Sequence, residues 1–300
     1  MSLLGTAPIA AAFARLVQHG PGPRIPAEIT FAELSARTET AIIPTRHGAV
    51  RATVYWPDEP AGDPPPAYVN FHGGGFVVRH PEQDDPLCRY LAAMAGVAVI
   101  NVDYDVAPQH RFPHPVEQAY DAVRWASSAH RGWDGARLCV GGQSAGGALA
   151  AGAARLALED HGPQICLQVL HYPVLDLATP VRHKRAAGES FLTVPVAEVF
   201  DAAYAPLPAA KRNRLASPAW GPNGNDITGI APALVITCGI DRLHDEGLVY
   251  AWRLATAGAL REHLDLPEAN HGYNQLSRDR GLVERGYALI AKHVIAATEA

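Results

Sequence analysis

Apolar and polar residues along this chain follow two different periods, and the two take turns. RATVYW (51–56) alternates with period two, the pattern of a strand half exposed to water. AYVNF (67–71), VAVINVDY (97–104), RLCVG (137–141), ICLQVLHY (165–172) and ALVITCG (233–239) are more continuously apolar. Runs of that kind suit central strands of a parallel sheet, covered on both faces. LREHLDL (260–266) reads as a further strand. Between the strands lie stretches with helical spacing. VEQAYDAVRWASSA places Val116, Ala119, Tyr120, Val123 and Ala126 on one face. AGGALAAGAARLALED follows the 137–141 strand, EGLVYAWRLATAG follows the 233–239 strand, and LVERGYALIAKHVIAAT ends the chain. Strands alternating with helices predict an α/β fold: a mostly parallel central sheet flanked by helices.

Two regions break the alternation. Near the N-terminus, Ile9, Ala12, Phe13, Leu16 and Val17 fall at helical spacing, a stripe predicted to pack against the body of the protein. The stretch lacks a basic leading segment, and Arg15 interrupts its apolar run, so neither a secretory leader nor a stable membrane insertion is expected. The second region, residues 178–215, lies between two core strands and is helical and punctuated by proline. An insertion there would stand above the carboxyl ends of the strands, the edge at which open α/β sheets bind ligands. The expected organisation is a core of residues 41–177 and 216–300 under a helical cap of residues 1–40 and 178–215.

Composition narrows the function. The 300 residues are 48% hydrophobic and 18% charged, an ordinary globular balance. A formal net charge of −5 provides no basic footprint for nucleic acid. Cys139, Cys166 and Cys238 lie within apolar runs, where cysteine behaves as a small hydrophobe, and with Cys88 they form no metal-ligand spacing. A reduced, cytoplasmic protein without a metal is the expectation. The oligomeric state, a homodimer included, stays open.

The chemistry-bearing segments are rich in glycine. NFHGGGF (70–76) follows an apolar run, but GGGFVV lacks the last glycine of a dinucleotide-binding loop. GGQSAGGA (141–148) has Ala148 where a phosphate-binding loop requires lysine. Both phosphate readings fail. Residues 142–146, GQSAG, instead form GxSxG between a predicted strand and a predicted helix, a turn that lifts a serine hydroxyl above the sheet. Serine is a weak nucleophile near neutrality and needs a base with a group to orient it. His271, in PEANHGY, follows the last predicted strand. Asp241, in GIDRLHDE, follows another; Asp176, in YPVLDL, and Asp245 compete with it for the carboxylate role. His110 and His114 have i,i+4 spacing, but Pro113 argues against one helix presenting both to a metal, so the pair reads as structural. Whether Trp220 lines a pocket or packs is open.

HGGGF (72–76), GQSAGG (142–147), DRLHDE (241–246) and HGY (271–273), in that order, resemble the landmarks of hormone-sensitive-lipase-like (family IV) carboxylesterases. YDVAPQHRFP (104–113) resembles a further segment of that family, and the likeness spans roughly residues 67–275. The resemblance implies an α/β-hydrolase fold with a helical cap and a cofactor-free ester hydrolase. Ser144 would be the nucleophile, His271 the general acid and base, and Asp241 its orienting carboxylate. Backbone N–H groups of Gly73, Gly74 and Ala145 would form the oxyanion hole, with His72 bracing the glycine loop. The chain departs from the family at Gln143, where many members carry an acid; a supporting role beside the serine is expected of it. The implied substrate is a small ester with a short to medium acyl chain. An amidase or formamidase on the same triad is the close alternative, and a non-catalytic small-molecule receptor on this fold the distant one.

Overall fold

Strands β3 (Pro66–Phe71) and β7 (Ala233–Cys238) are buried at every residue, as their continuous apolar character requires. The computed structural model describes residues 6–20, 22, 24–128 and 131–299. Among these, the two strands join β1 (Arg37–Thr45), β2 (Gly48–Trp56), β4 (Ala98–Asp103), β5 (Asp134–Gln143), β6 (Leu167–His171) and β8 (Leu260–Leu266). They form one sheet in the order β1-β2-β4-β3-β5-β6-β7-β8. From β4 to β8 every pairing is parallel; β2 runs antiparallel to both β1 and β4. The helices are α1 (Ala7–Gln18), α2 (Asp85–Ala95), α3 (His114–Ala126), α4 (Ala145–Glu159), α5 (Val194–Tyr204), α6 (Pro208–Lys211), α7 (His244–Thr256), α8 (Tyr273–Leu276) and α9 (Arg280–Thr298).

The period of two along the strands sorts side chains into two cores. Val54, Ile100, Val69 and Val140 lie side by side across the sheet and pack with residues of α3, α4 and α7. Their chain neighbours Tyr55, Val99, Tyr68 and Cys139 point the other way and pack with α2 and α9. Burial on this scale supplies about 25 cal/mol per Å² of apolar surface, the main force holding the layers together. All four cysteines are free thiols; Cys166 alone is only partly buried. No helix among the described residues is long and apolar enough to cross a membrane.

Strand β1, helix α2 and the inward face of α1 differ from the elements the sequence pattern predicts. Strand β1 lies within the region that breaks the alternation, and the core boundary set at residue 41 falls inside it. Its sequence, RTETAIIPT, is mostly exposed because β1 is an edge strand paired only with β2, so it carries little apolar signal. Helix α2 starts with Pro86 in its first turn and stops at Gly96, whose φ of +63° suits glycine. At the N-terminus the inward face of α1 is not the large apolar stripe. Ala10, Ala11 and Ala14 are buried instead, with Ala10 packed against Val199 and Ala202 of α5, while Ile9, Phe13, Leu16 and Val17 are exposed. Small side chains let the two helices approach closely.

Candidate active site

Four loops at the carboxyl ends of β3, β5, β7 and β8 converge on one cleft. After β5 the chain turns within a single residue. Ser144 has φ +56° and ψ −115°, a conformation that costs on the order of 1–3 kcal/mol and persists only where surroundings enforce it. Here the enforcement is visible. The Ser144 N–H donates to the His171 carbonyl at 2.9 Å, and its own carbonyl accepts from Val174 N–H at 3.1 Å and Ala148 N–H at 3.2 Å. Only a residue without a side chain fits two positions later, since a Cβ on Gly146 would collide with the Phe71 carbonyl. The serine thus stands at the N-terminal end of the fifteen-residue helix α4, whose dipole places partial positive charge at the site.

The Ser144 hydroxyl lies 2.9 Å from His271 Nε2, and His271 Nδ1 lies 2.7 Å from Asp241 Oδ2. Asp241 is 1% exposed, and its Oδ1 accepts the Leu243 N–H at 3.1 Å. The competing carboxylates are elsewhere. Asp176 Oδ1 accepts the N–H groups of Ala178 and Thr179 at 3.0 and 2.9 Å, and Asp245 is an exposed residue in the first turn of α7. Trp220 lies off the cleft, under the Arg212 guanidinium.

The glycine loop after β3 runs beside the serine: a Cβ on Gly73 would stand 3.7 Å from Ser144 Cβ. Gly74 has φ +119°, and a Cβ there would meet the Val78 carbonyl oxygen at 2.7 Å. Among the described residues, the N–H groups of Gly73, Gly74 and Ala145 donate to no protein acceptor. Behind the loop, His72 is fully buried. Its Nδ1–H donates to the Gly73 carbonyl at 2.7 Å, its ring stacks on Tyr104 at 4.3 Å, and the Tyr104 hydroxyl donates to the His72 carbonyl at 2.8 Å. Burial pushes the His72 imidazole down to about 4, so it is a neutral brace at ordinary pH.

Gln143 leads to residues with no sequence signal of their own. Its amide donates to Asp84, a fully buried carboxyl just before α2. Asp84 also accepts from Asn70 Nδ2 at 2.8 Å and from Gln275 Nε2 at 3.4 Å. These three amides come from the strand before the glycine loop, from the serine turn and from the histidine loop. One carboxyl therefore ties together all three. On its other side Gln143 Oε1 accepts from Asn274 and contacts the Tyr172 hydroxyl at 3.0 Å. Burial pushes Asp84 up to about 7, against the lowering effect of its amide donors. The acid missing before the serine has a counterpart in space, contributed by another segment.

Above Ser144 and His271 lies a cavity of about 250 Å³ whose floor also includes Gly73 and Gly74. The 178–215 excursion supplies much of its wall: Val181, Phe191, Leu192 and Phe200, with Lys184 and Asp201. Lys184 is paired at 2.5 Å with the buried Glu246.

Residues 68–275 match the family model described as alpha/beta hydrolase fold. The chain belongs to the hormone-sensitive-lipase-like esterases of that fold. A carboxylesterase (NlhH) of Mycobacterium tuberculosis is 34% identical over 224 residues, 73% of this chain and 70% of the relative. An ethyl acetate hydrolase of Pseudomonas putida is 36% identical over 226 residues, 72% of this chain and 70% of the relative. Among solved structures, the hyperthermophilic esterase of the archaeon Pyrobaculum calidifontis superposes with a TM-score of 0.80 at 32% identity. That superposition covers 100% of this chain and 93% of the other. Family membership accounts for the order of the four loops. At the position before the serine, where the resemblance leads to the expectation of an acid, this chain has Gln143 with its amide on the buried Asp84 carboxyl.

Proposed function

We propose that this protein is a serine carboxylesterase that hydrolyses small carboxylic esters through an acyl-enzyme, with Ser144 as nucleophile, His271 as general acid and base, and Asp241 as the orienting carboxylate. The observation that carries the reading is the unbroken relay from Ser144 Oγ through the two ring nitrogens of His271 to Asp241, at 2.9 and 2.7 Å. By accepting the Nδ1 proton, Asp241 leaves Nε2 free to act as the base.

Ser144 Oγ attacks the acyl carbonyl carbon while His271 Nε2 takes its proton. The carbonyl oxygen becomes an oxyanion, held by the free N–H groups of Gly73, Gly74 and Ala145; one such donor is typically worth about 10²–10³ in rate. His271 then protonates the departing alkoxide, and the acyl group remains on Ser144. Water enters, loses its proton to His271 and releases the acid by the same steps reversed. Gln143 and His72 support this geometry from behind. No cofactor takes part.

The cavity volume lies below the roughly 300–1,000 Å³ typical of sites for drug-sized ligands, which supports an ester with a short to medium acyl chain. In this reading α1 and the 178–215 excursion act as the cap. Free and largely buried thiols fit a reducing, cytoplasmic setting.

The test is a stopped-flow measurement with a short-chain p-nitrophenyl ester. The expected result is a burst of nitrophenol that vanishes in a folded Ser144→Ala variant. Equal rates in variant and parent would refute the assignment. Faster turnover of a matched anilide than of the ester would move the reading to an amidase.

A further inference from the structure

Away from the cleft, three imidazoles and two carboxylates gather around the start of α3. Asp105 follows β4, and His114 is the first residue of α3. His110 ends a turn in which its N–H donates to the Val106 carbonyl at 3.0 Å. A ligand atom from each of Asp105, His110 and His114 lies within 4.8 Å of the other two. The His114 ring stacks on His47, from the β1–β2 turn, at 4.0 Å and contacts the His110 ring at 4.4 Å. The proline that argues against a shared helix is no obstacle here. Only His114 is helical, and His110 reaches it from the preceding turn.

The donors are also held in place. Gln118, fully buried, accepts the Asp105 N–H at 2.9 Å and donates its amide to Asp105 Oδ2 at 2.8 Å. His114 Nε2 is 3.1 Å from the same oxygen, and Glu117 holds His47 Nε2 at 2.6 Å. Groups that orient ligands in this way commonly raise metal affinity by about 10–100-fold. The His110 ring has no hydrogen-bond partner among the described residues. One cation stands nearby: Arg79 Nη1 is 3.7 Å from Asp105 Oδ1. Its guanidinium is taken up by Asp103, with Nε at 2.5 Å and Nη2 at 3.0 Å, so the Asp105 charge stays available.

We propose that Asp105, His110 and His114 form a binding site for a zinc-class divalent cation, separate from the catalytic triad. Two imidazole nitrogens and one carboxylate oxygen are a donor set suited to zinc, with water completing four positions. The bound ion has no part in ester hydrolysis. It stiffens the 104–114 segment, which backs the glycine loop through the Tyr104 hydroxyl on His72 and through Ala107 N–H on the Phe76 carbonyl at 2.8 Å.

The experiment is equilibrium dialysis of chelator-stripped protein against Zn²⁺, with thermal melts in parallel. Parent protein is expected to bind Zn²⁺ at this site and to melt higher in its presence. Asp105→Asn and His110→Ala are each expected to weaken that binding by about tenfold or more and to remove the melting shift. His161→Ala, a change away from the cluster, should leave both intact. Because the His110 ring makes no hydrogen bond among the described residues, and its ring contact there is with His114, His110→Ala should melt close to the metal-free parent, which separates lost binding from lost folding. Unchanged affinity in the His110 and Asp105 variants, or binding lost only in His271→Ala, would overturn the proposal.

Discussion

The floor and the roof of the cleft are built on opposite terms. The floor consists of backbone amides and short side chains on tight loops between buried strands, tied by amide donors to the single carboxyl of Asp84. The roof is a mostly apolar wall of Val181, Phe191, Leu192 and Phe200, with Lys184 and Asp201, on an excursion from the sheet. Polar ties between it and the floor sit beside His271 and Asp241. Asn270 accepts the Phe191 N–H at 2.9 Å and donates to the Glu189 carbonyl at 2.7 Å, next to His271. Arg242, next to Asp241, donates to the carbonyls of Leu192 and Lys184 at 3.2 Å each. The contrast follows from what each region must do. Transition-state charge is stabilised only by donors held in position beforehand, whereas an acyl chain needs only apolar volume of about the right shape.

The largest effect is expected in the floor. Asp241→Asn is expected to lower kcat by about 10⁴, because the amide favours the wrong histidine tautomer. Asp176→Asn, which keeps an oxygen to accept from Ala178 and Thr179, should leave kcat near the parent value. Steady-state kinetics on one short-chain ester decides between them, and the reverse outcome would reassign the carboxylate.

A smaller effect is expected at the hub. Asp84→Asn turns an acceptor of three amides into a group that must present a donor to one of them, at a cost of about 1–3 kcal/mol in stability. The variant should also lose a pH dependence. The folded-state value of Asp84, about 7, lies above the unfolded carboxylate range. Its contribution is therefore full at low pH, below the unfolded value, and is lost as pH rises through about 7. Melting temperatures from about pH 4 to about pH 8 should fall in the parent between the unfolded carboxylate value and about 7 and level off above it, a fall that is shallower in Asp84→Asn. Parallel curves would remove Asp84 from this role.

In the roof, Phe200→Ala should act on selectivity alone. Enlarging the wall is expected to shift kcat/KM towards longer acyl chains by about 10–200-fold at most, with kcat on an acetyl ester little changed. A comparable fall in acetyl turnover would mean that Phe200, which packs where a Cβ of Gly75 would stand, positions the glycine loop as well.

The strands from 51 to 266 and helices α3, α4, α7 and α9 are legible in the sequence because burial on both faces or on one face leaves a periodic trace; α2 is not among the elements that pattern predicts. The edge strand β1 leaves little, being mostly exposed. Helix α1 misleads: its large apolar residues form the periodic stripe, but the alanines make the contact with α5. In the site, Ser144, Asp241 and His271 are legible because each sits in a loop after a strand, with a residue type the chemistry requires. Asp84 and Gln275 are not, since an acid in HPEQDDP and an amide in YNQL look like surface residues until the fold buries them.

The alternating architecture, the serine turn with its glycines and the residue types able to relay a proton are written in the linear chain. These are local properties, set by hydrophobic period and by the backbone angles that particular residues permit. Which carboxylate meets His271, that Gln143 reaches the buried Asp84, and that His110 and His114 converge on Asp105 follow from the packing of the folded chain. Those are meetings between segments far apart in the chain, and their distances are set by the packing of two cores against one sheet.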